Sequence, residues 1–461
     1  MKILLVSTYE MGHQPLGLAA AAAVLRARDH DVECLDLAVG PPEARVFQQA
    51  DLIGISVPMH TAARLGIELA RGIRRLNPRT HIVFYGLYAT PLYERLTGSG
   101  LADSVIGGEY EIGLLALADR LAGGSLDQRV LPRGVGPLPI FDRQLYPVPD
   151  RRGLPGLDSY AHLRVDGELR LTGYVEASRG CAHNCTHCPL TPVYGGRLRI
   201  VQAETVLADI EQLIAAGARH ITFGDPDWLN AVPHSLAIVK ELHQRHSAVT
   251  FDATIKVEHL LEQSRLLPRL AELGCLFVTS AFESTDDGIL RLLEKGHTRA
   301  DLERALNAVG SAGIVLRPTW VAFTPWTTAE SFLDLLAFVE DNGLVNNVQP
   351  VQFALKLLLP PGSPLSDVIA GHGRLEPFDE AGLTFNWTNP DPRLEALQRE
   401  LARVVEADAA TGGDANPTPY EVTFAKVKRA ALKALAGIDA PASVAPQPLK
   451  QLPGLTEAWF C

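Results

Sequence analysis

Long apolar runs are missing from this 461-residue chain. The longest, residues 16–25, is rich in alanine and ends at Arg26, far short of the roughly 20 apolar residues that span a bilayer. The N-terminus turns polar after residues 3–6, too early for the apolar core of a secretory signal. We therefore expect a cytoplasmic protein with no membrane partner.

Basic residues are outnumbered by acidic ones. The chain has 42 Lys and Arg against 53 Asp and Glu, a formal net charge of -11. Binding to a nucleic-acid backbone needs clustered Lys and Arg that neutralise phosphates, and the sequence shows no such cluster. We expect no nucleic-acid partner and a small-molecule or peptide substrate.

Cysteine is also sparse, since six cysteines in so long a chain do not form a disulfide framework. Cys34 and Cys275 lie in apolar stretches and are expected to be buried core residues. Cys181, Cys185 and Cys188, in contrast, fall within eight residues. In a reducing compartment such a group indicates a metal centre.

Strand-like and helix-like segments alternate in the first quarter of the chain. The predicted strands are residues 3–6, 32–37, 52–57, 81–85 and 104–106, and the predicted helices are residues 16–28, 62–76 and 112–121. This alternation predicts a doubly wound, Rossmann-like (flavodoxin-like) parallel sheet, whose ligands sit at the carboxyl ends of the strands.

A second alternation follows a segment rich in Gly, Pro and Arg. Its predicted strands are residues 174–177, 220–223, 250–255, 276–282, 315–323 and 348–359. Helical segments between them predict a partial or full TIM-type (β/α) barrel, and a small, mostly helical region follows. We predict an N-terminal domain at 1–125, a linker at 126–170, a barrel at 171–365, and a C-terminal helical region and tail at 366–461.

The three clustered cysteines form the pattern C-x3-C-x2-C directly after a predicted strand. A cubane [4Fe-4S] cluster needs four ligands, so three thiolates leave one iron with an open coordination position. Gly180 would let the loop pass close to the cluster. The alternative is a zinc site completed by His183 and His187, which the sequence favours less because no second pair of cysteines exists.

This loop resembles the radical S-adenosylmethionine (radical SAM) superfamily. The resemblance implies that the open iron chelates SAM, that an electron from the cluster yields a 5′-deoxyadenosyl radical, and that a flavodoxin or ferredoxin donates the electron. It also implies SAM contacts at Phe223, Asp225, Lys256, Glu283 and Ser284. Each of these taken alone could equally be a solvated residue at a strand end.

The N-terminal sheet, placed before such a barrel, resembles the cobalamin-binding domain of B12-dependent radical SAM proteins. The resemblance implies cobalamin contacts at Gly12, His13, Ser56, Gly86, Gly108 and Glu109. The motif D-x-H-x-x-G is not intact, because Met11 and Leu16 replace its Asp and Gly, so we do not assign His13 as a cobalt ligand. The alternatives are a flavodoxin-like scaffold and, less favoured without G-x-G-x-x-G, a dinucleotide site.

Residues 357–364 and the ending at Cys461 resemble a group of these proteins with a Cys-Sec or Cys-Cys tail followed by Ala-Glu-Pro. The resemblance implies that a selenocysteine codon follows Cys461, and the alternative is an ordinary terminus with a chance thiol. We predict a cobalamin-dependent radical SAM methyltransferase acting on an unactivated centre. The alternatives are a radical rearrangement or thiolation enzyme and a non-catalytic cobalamin or redox sensor.

Overall fold

The computed structural model describes residues 1–123, 135–141, 144–412, 418–439 and 452–457. Its N-terminal domain is built on a six-stranded parallel sheet of order β2-β1-β3-β4-β5-β6. The strands are β1 Lys2–Ser7, β2 Asp31–Asp36, β3 Leu52–Ser56, β4 His81–Gly86, β5 Ser104–Gly108 and β6 Gly136–Ile140. The helices are α1 Leu16–Arg26, α2 Ala44–Gln49, α3 His60–Leu76, α4 Tyr93–Gly98 and α5 Glu111–Ala122.

Helices cover both faces of this sheet. β3 and β5 are buried at every residue, as expected for parallel strands with both faces covered. The helices α1 and α5 pack on one face and α2, α3 and α4 on the other, which gives two hydrophobic cores. The predicted doubly wound sheet is confirmed.

The segment predicted as a linker contributes β6 to the edge of this sheet. Its sequence, Gly-Pro-Leu-Pro-Ile, does not predict a strand, because proline cannot donate a backbone hydrogen bond to a neighbouring strand. An edge strand tolerates proline where the missing N–H would face away from the sheet.

The second domain contains a seven-stranded sheet of order β14-β13-β12-β11-β8-β7-β17. Its strands are β7 His162–Val165, β8 Glu168–Val175, β11 His220–Phe223, β12 Thr250–Thr254, β13 Cys275–Glu283, β14 Val315–Trp320 and β17 Gly454–Leu455. The short strands β9 Ser178–Gly180 and β10 Leu198–Ile200 pair antiparallel beside it. Five strands, β8 and β11 to β14, are parallel and form a half-barrel.

Helices connect and cover these strands. They are α6 Thr191–Tyr194, α7 Ala203–Ala215, α8 Val232–Arg245, α9 Val257–Glu262, α10 Leu267–Glu272, α11 Asp287–Leu292, α12 Arg299–Ser311 and α13 Ala329–Asp341. Asp286 caps the N-terminus of α11, where its side chain accepts hydrogen bonds from two backbone N–H groups, and α12 and α13 begin with capping boxes. These caps satisfy N–H groups that have no partner within the helix.

The predicted sixth barrel strand, residues 348–359, is wrong. A 3-10 helix, Pro350–Ala354, occupies its middle, and one parallel bridge joins Phe323 to Lys356. The Gln352 side chain accepts a hydrogen bond from Trp320 N–H at 2.9 Å, so a side chain occupies the place of a strand beside the end of β14. The barrel is therefore partial.

The C-terminal region is mostly helical, as predicted. It comprises α14 Leu365–Gly371, the hairpin of β15 Leu375–Asp379 and β16 Thr384–Trp387, α15 Pro392–Gly412 and α16 Tyr420–Ala431. The chain then returns as β17, which pairs antiparallel with β7. None of the helices among the described residues has the length and apolar character needed to cross a membrane.

Candidate active site

A cavity of about 510 Å³ lies between the two domains. Loops that follow β1, β3 and β4 form one wall, where Met11, His13, Pro58, Met59 and Tyr88 line the cavity. The opposite wall comes from the carboxyl ends of the half-barrel strands and the loop of residues 181–190. The carboxyl edges of both sheets, where α/β folds bind ligands, therefore face one space.

Cys181, Cys185 and Cys188 all line this cavity. Among the described residues, none of the cysteines forms a disulfide. The antiparallel pair β9 and β10 brackets the loop, and Gly180 enters it with φ +71°. A Cβ at Gly180 would lie 2.6 Å from the Tyr194 ring, so the first turn of the loop requires glycine.

Polar side chains hold the cysteine loop in place. Asp225 accepts hydrogen bonds from Ala177 N–H at 2.9 Å and from the Ser178 hydroxyl at 2.6 Å. Thr186 donates to the Leu292 carbonyl at 2.8 Å. Burial raises the pKa of Asp225 to about 7 despite these hydrogen bonds. The predicted SAM contact Asp225 lines the cavity but uses both carboxylate oxygens to fix the start of the loop.

The cysteine thiols lie in a largely buried environment near the Lys295 side chain. Burial raises the pKa of Cys181, and it raises the pKa of Cys188 to about 12. Without a metal these groups are therefore thiols, and binding of iron would release their protons. The Lys295 ammonium is close enough to Cys185 and Cys188 to interact electrostatically with them.

Glu283 and Lys295 form a buried ion pair at the end of β13. Their side chains are 3.2 Å apart, and His187 Nε2 lies 3.2 Å from the same carboxylate oxygen. Burial opposes ionisation of Glu283, but Lys295 and His187 overcome it and lower the pKa of Glu283 to about 2. Glu283 also has φ +64°, a left-handed conformation that is rare outside glycine.

The other predicted SAM contacts divide between the cavity and its surroundings. Phe223 and Lys256 line the cavity, and Phe223 packs against Trp228 at a ring separation of 5.3 Å. Ser284 lies outside the lining, where its hydroxyl accepts a hydrogen bond from Asp286 N–H at 3.1 Å. Ser284 thus supports the start of α11, and its assignment to SAM stays a prediction.

His183, Asp227 and His259 bring their ligand atoms within 4.8 Å of one another. Two imidazoles and a carboxylate could hold a divalent metal. However, the Lys256 ammonium lies 3.2 Å from His183 Nδ1 and would repel a second cation. We interpret His183 and Asp227 as part of a polar wall of the cavity, with His259 behind it in contact with Asp227. Sequence reasoning missed His259. The acidic residues that follow β11 were the sequence feature that could have indicated a partner such as His259.

Among the predicted cobalamin contacts, His13 lines the cavity. Its ring stacks on Tyr174 with centroids 4.5 Å apart, and burial lowers its pKa to about 4. A neutral imidazole is the form that binds metals. Gly12 adjoins the cavity, and a Cβ there would lie 2.8 Å from the Glu457 side chain.

Ser56, Gly86, Gly108 and Glu109 lie outside the cavity lining. Ser56 is buried. A Cβ at Gly86 would lie 3.4 Å from the Val57 backbone, and a Cβ at Gly108 would lie 2.9 Å from Pro139. The left-handed backbone conformation of Gly86, φ +107°, and the packing at Gly108 thus account for the two glycines, and their role toward cobalamin stays a prediction. Glu109 faces the half-barrel, as described below.

The donor set and the cavity fit the cofactors that the sequence implied. Three thiols of one loop suit an iron-sulfur cluster. His187 Nδ1 and Trp320 Nε1 are buried at the cavity without a hydrogen-bond partner among the described residues, so a polar ligand such as SAM would satisfy them. The wall made by Met11, Pro58 and Met59 suits the apolar face of a macrocycle.

Comparisons with known proteins agree with this geometry. Residues 175–335 match the family model of the radical SAM superfamily, and residues 2–118 match that of the B12 binding domain. The hopanoid C-3 methylase of Methylococcus capsulatus is 25% identical over 326 residues, covering 68% of this chain and 62% of the relative. An uncharacterised methyltransferase of Pyrococcus horikoshii is 26% identical, with 65% and 66% covered. The matches thus span less than two thirds of these relatives.

Solved structures show the same fold. The radical SAM methyltransferase TsrM of Kitasatospora setae has a TM-score of 0.68 at 18% identity, covering 87% of this chain and 88% of that one. The cobalamin-dependent radical SAM enzyme OxsB has a TM-score of 0.71 at 15% identity, with 94% and 72% covered. This chain therefore joins a B12-binding domain to a radical SAM domain, and the two domains imply a [4Fe-4S] cluster, SAM and cobalamin as cofactors.

Proposed function

We propose that this protein uses SAM and cobalamin to methylate an unactivated centre of a small molecule or peptide. One observation carries the proposal: the cysteine loop and the strand-end loops of the B12-binding domain are two walls of the same cavity. A substrate in that cavity would face both cofactors. Relatives named as a hopanoid methylase and a methyltransferase support methyl transfer.

When bound, the cluster would supply the electron that cleaves SAM, and cobalamin would carry the methyl group. The chain's own side chains would bind and orient SAM. Lys256 suits its carboxylate, while Asp227 and Glu283 suit its positively charged groups. The packed rings of Phe223 and Trp228 would exclude water from that end of the cavity.

Product analysis tests this function. The protein is reconstituted anaerobically with iron, sulfide and hydroxocobalamin, then reduced and incubated with methyl-deuterated SAM and a deproteinised cell extract. Methylation predicts 5′-deoxyadenosine, S-adenosylhomocysteine and a deuterated product. 5′-Deoxyadenosine alone would favour rearrangement or thiolation, and the absence of all three would favour a sensor. The Cys181→Ala variant is the control.

We also propose a cytoplasmic setting, a flavodoxin or ferredoxin as the electron donor, and no nucleic-acid partner. The acidic net charge of -11 supports the last point. Replacing the chemical reductant with reduced flavodoxin or ferredoxin should sustain formation of 5′-deoxyadenosine. If neither reduced flavodoxin nor reduced ferredoxin supports formation of 5′-deoxyadenosine, the proposed donor is contradicted.

Membership in the group with a Cys-Sec or Cys-Cys tail is a further proposal, and Cys461 lies outside the described residues. Its support is the sequence at residues 357–364 and the position of β17, which brings Leu455 and Glu457 to the cavity wall. The codons that follow Cys461 in the gene test it. An opal codon followed by Ala-Glu-Pro would support the proposal, and any other stop context would overturn it.

A further inference from the structure

The two ends of the cysteine loop contact the same edge of the B12-binding domain. Arg179, on β9, lies two residues before Cys181, and Tyr194 ends α6 just after the loop. Both side chains reach the segment of Glu109 to Glu111, which follows β5. Contacts that flank a metal-binding loop on both sides can determine where its ligands lie.

Arg179 is the centre of a buried ionic group. Its guanidinium lies 2.7 Å from Glu111, 3.5 Å from Glu109 and 2.8 Å from Glu176. It also lies over the Tyr110 ring, 5.1 Å from the centroid. The Arg179 side chain is 11% exposed, and those of Glu109 and Glu111 are 3% and 2% exposed. A planar guanidinium with several fixed acceptors has a defined orientation.

Glu109 binds the other end of the loop. Its carboxylate accepts hydrogen bonds from the hydroxyls of Tyr194 at 3.0 Å and Tyr146 at 2.5 Å, and from the Gln144 amide at 3.1 Å. Tyr146 lies in the segment that connects the two domains. Glu109 thus receives contacts from β9, α6 and the connecting segment, although sequence reasoning assigned it to cobalamin.

A buried ion pair contributes little net stability, because desolvation of its charges opposes their attraction. Its geometry, however, is specific, since removing one partner leaves a buried charge without compensation. The Arg179 group is therefore better explained by the position it imposes than by the stability it adds.

We propose that Glu109 and Arg179 are positioning residues that fix the cysteine loop against the B12-binding domain. Given the proposed function, they set the separation and orientation of the cluster and cobalamin. They act through the loop, and neither Glu109 nor Arg179 lines the cavity. The link between the Tyr160 hydroxyl and Asp36, at 2.9 Å, does not touch the loop.

The first test needs no cofactor. Hydrogen exchange is measured on residues 178–195 in the full-length wild type, Glu109→Ala, Glu109→Gln and Tyr194→Phe, with Tyr160→Phe as the matched control. We expect exchange in this segment to become about tenfold faster or more in Glu109→Ala, with a smaller increase in Glu109→Gln and Tyr194→Phe. Tyr160→Phe should leave the segment unchanged.

Unchanged exchange in residues 178–195 across the three loop variants would overturn the proposal. If Glu109→Ala does not fold, the two milder variants decide. Unchanged exchange in Glu109→Gln and Tyr194→Phe would then contradict a positioning role.

The second test uses the loaded protein. The reduced cluster and cobalt(II) cobalamin are both paramagnetic, so pulsed electron spin resonance reports their separation. We expect one narrow distance distribution in the wild type and in Tyr160→Phe, and a shifted or broadened one in Glu109→Ala at unchanged iron and cobalt content. An unchanged distribution would refute a role in cofactor spacing. Failure of the wild type to bind cobalamin would refute the proposed function, while the exchange test would still decide the positioning role.

Discussion

Substitution of Cys181, Cys185 or Cys188 by alanine changes the side-chain volume little but removes the thiol that would bind iron. Replacing Cys185 by Ala removes one thiolate ligand, so iron content should fall from about four atoms per chain to below one. Formation of 5′-deoxyadenosine should fall to background with it. Iron and sulfide assays with product analysis check this expectation.

Cys34→Ala is the matched control. Cys34 is buried in β2, and burial raises the pKa of its thiol to about 11, far from the cysteine loop. This variant should keep its iron. Loss of iron from Cys34→Ala, or its retention in Cys185→Ala, would contradict the assignment of the ligands.

We expect the stability of the protein to depend on pH because of the buried carboxyl of Glu10. Burial, followed by repulsion from Asp36 and Glu176, raises its pKa from 4.5 to about 8. Folding therefore favours the protonated carboxyl. The resulting stability is full below about pH 4.5 and is lost as the pH rises through 8.

Glu10→Gln lacks this loss, because the amide does not ionise. The free energy of unfolding of Glu10→Gln minus that of the wild type should therefore be about 1 kcal/mol or more larger at pH 8.5 than at pH 5. Urea denaturation at both pH values measures the difference, with the exposed Glu33→Gln as control. A difference that stays constant between the two pH values would contradict the raised pKa.

At the residue scale, spacing along the chain predicts which residues share a loop better than it predicts the contacts of a side chain. The C-x3-C-x2-C pattern is local, so the sequence alone placed all three thiols in one loop. The contacts of Glu109 and Ser284 depend on which way a strand-end side chain turns, and tertiary packing decides that. His259 is 32 residues from Asp227 in sequence and contacts it only in the fold.

Among the secondary-structure elements, the turn that joins β9 to the cysteine loop depends on Gly180. At φ +71° an alanine Cβ would lie 2.6 Å from the Tyr194 ring and would also collide with the Arg197 carbonyl. We expect Gly180→Ala to destabilise the protein by about 2 kcal/mol or more and to lower its iron content. Thermal unfolding and iron assays measure both effects.

Gly313→Ala is the control for backbone strain. Gly313 has φ +76°, with nothing within 4 Å of an added Cβ. Its substitution should cost only the left-handed backbone conformation, about 1 kcal/mol, and should leave iron binding intact. Equal effects of the two variants would show that steric contact at Gly180 is unimportant.

The elements that the sequence predicted well are those whose hydrophobic pattern is strong. The buried parallel strands β1 and β3 are largely apolar runs, a pattern that indicates a strand covered on both faces. In contrast, β6 contains two prolines, and β17 has two residues, too few for a periodic signal. Residues 348–359 have a strand-like composition, but Pro350 begins a 3-10 helix there.

At the scale of the whole molecule, the order of domains was readable from the sequence but their docking was not. Arg151, in the connecting segment, donates to Asp209 at 2.7 Å and to Gln14 at 2.7 Å. It thereby links the half-barrel to the B12-binding domain. Asp209 and Gln14 are both more than 50 residues from Arg151 in sequence, so no local sequence pattern indicates this link.

The shared cavity makes a prediction about cobalamin and stability. A ligand that binds only the folded state stabilises it by about 2.7 kcal/mol at 100 times its Kd. Hydroxocobalamin should therefore raise the unfolding temperature of the apoprotein in a concentration-dependent way. Hydrogen exchange should slow both in residues 11–13 and 58–60 of the B12-binding domain and in the cysteine loop, because each of these three segments contributes residues to the wall of one cavity.

Met59→Glu is the variant that distinguishes this cavity from a remote site. A carboxylate in the apolar wall would need desolvation when the macrocycle binds, so the affinity for hydroxocobalamin should fall at least tenfold. Leu65→Glu, at an exposed position of α3, should bind as the wild type does. If both variants bind hydroxocobalamin equally well, the macrocycle does not lie against the Met59 wall. Protection confined to the B12-binding domain would show that cobalamin does not face the cysteine loop, because a ligand in the shared space must contact both walls.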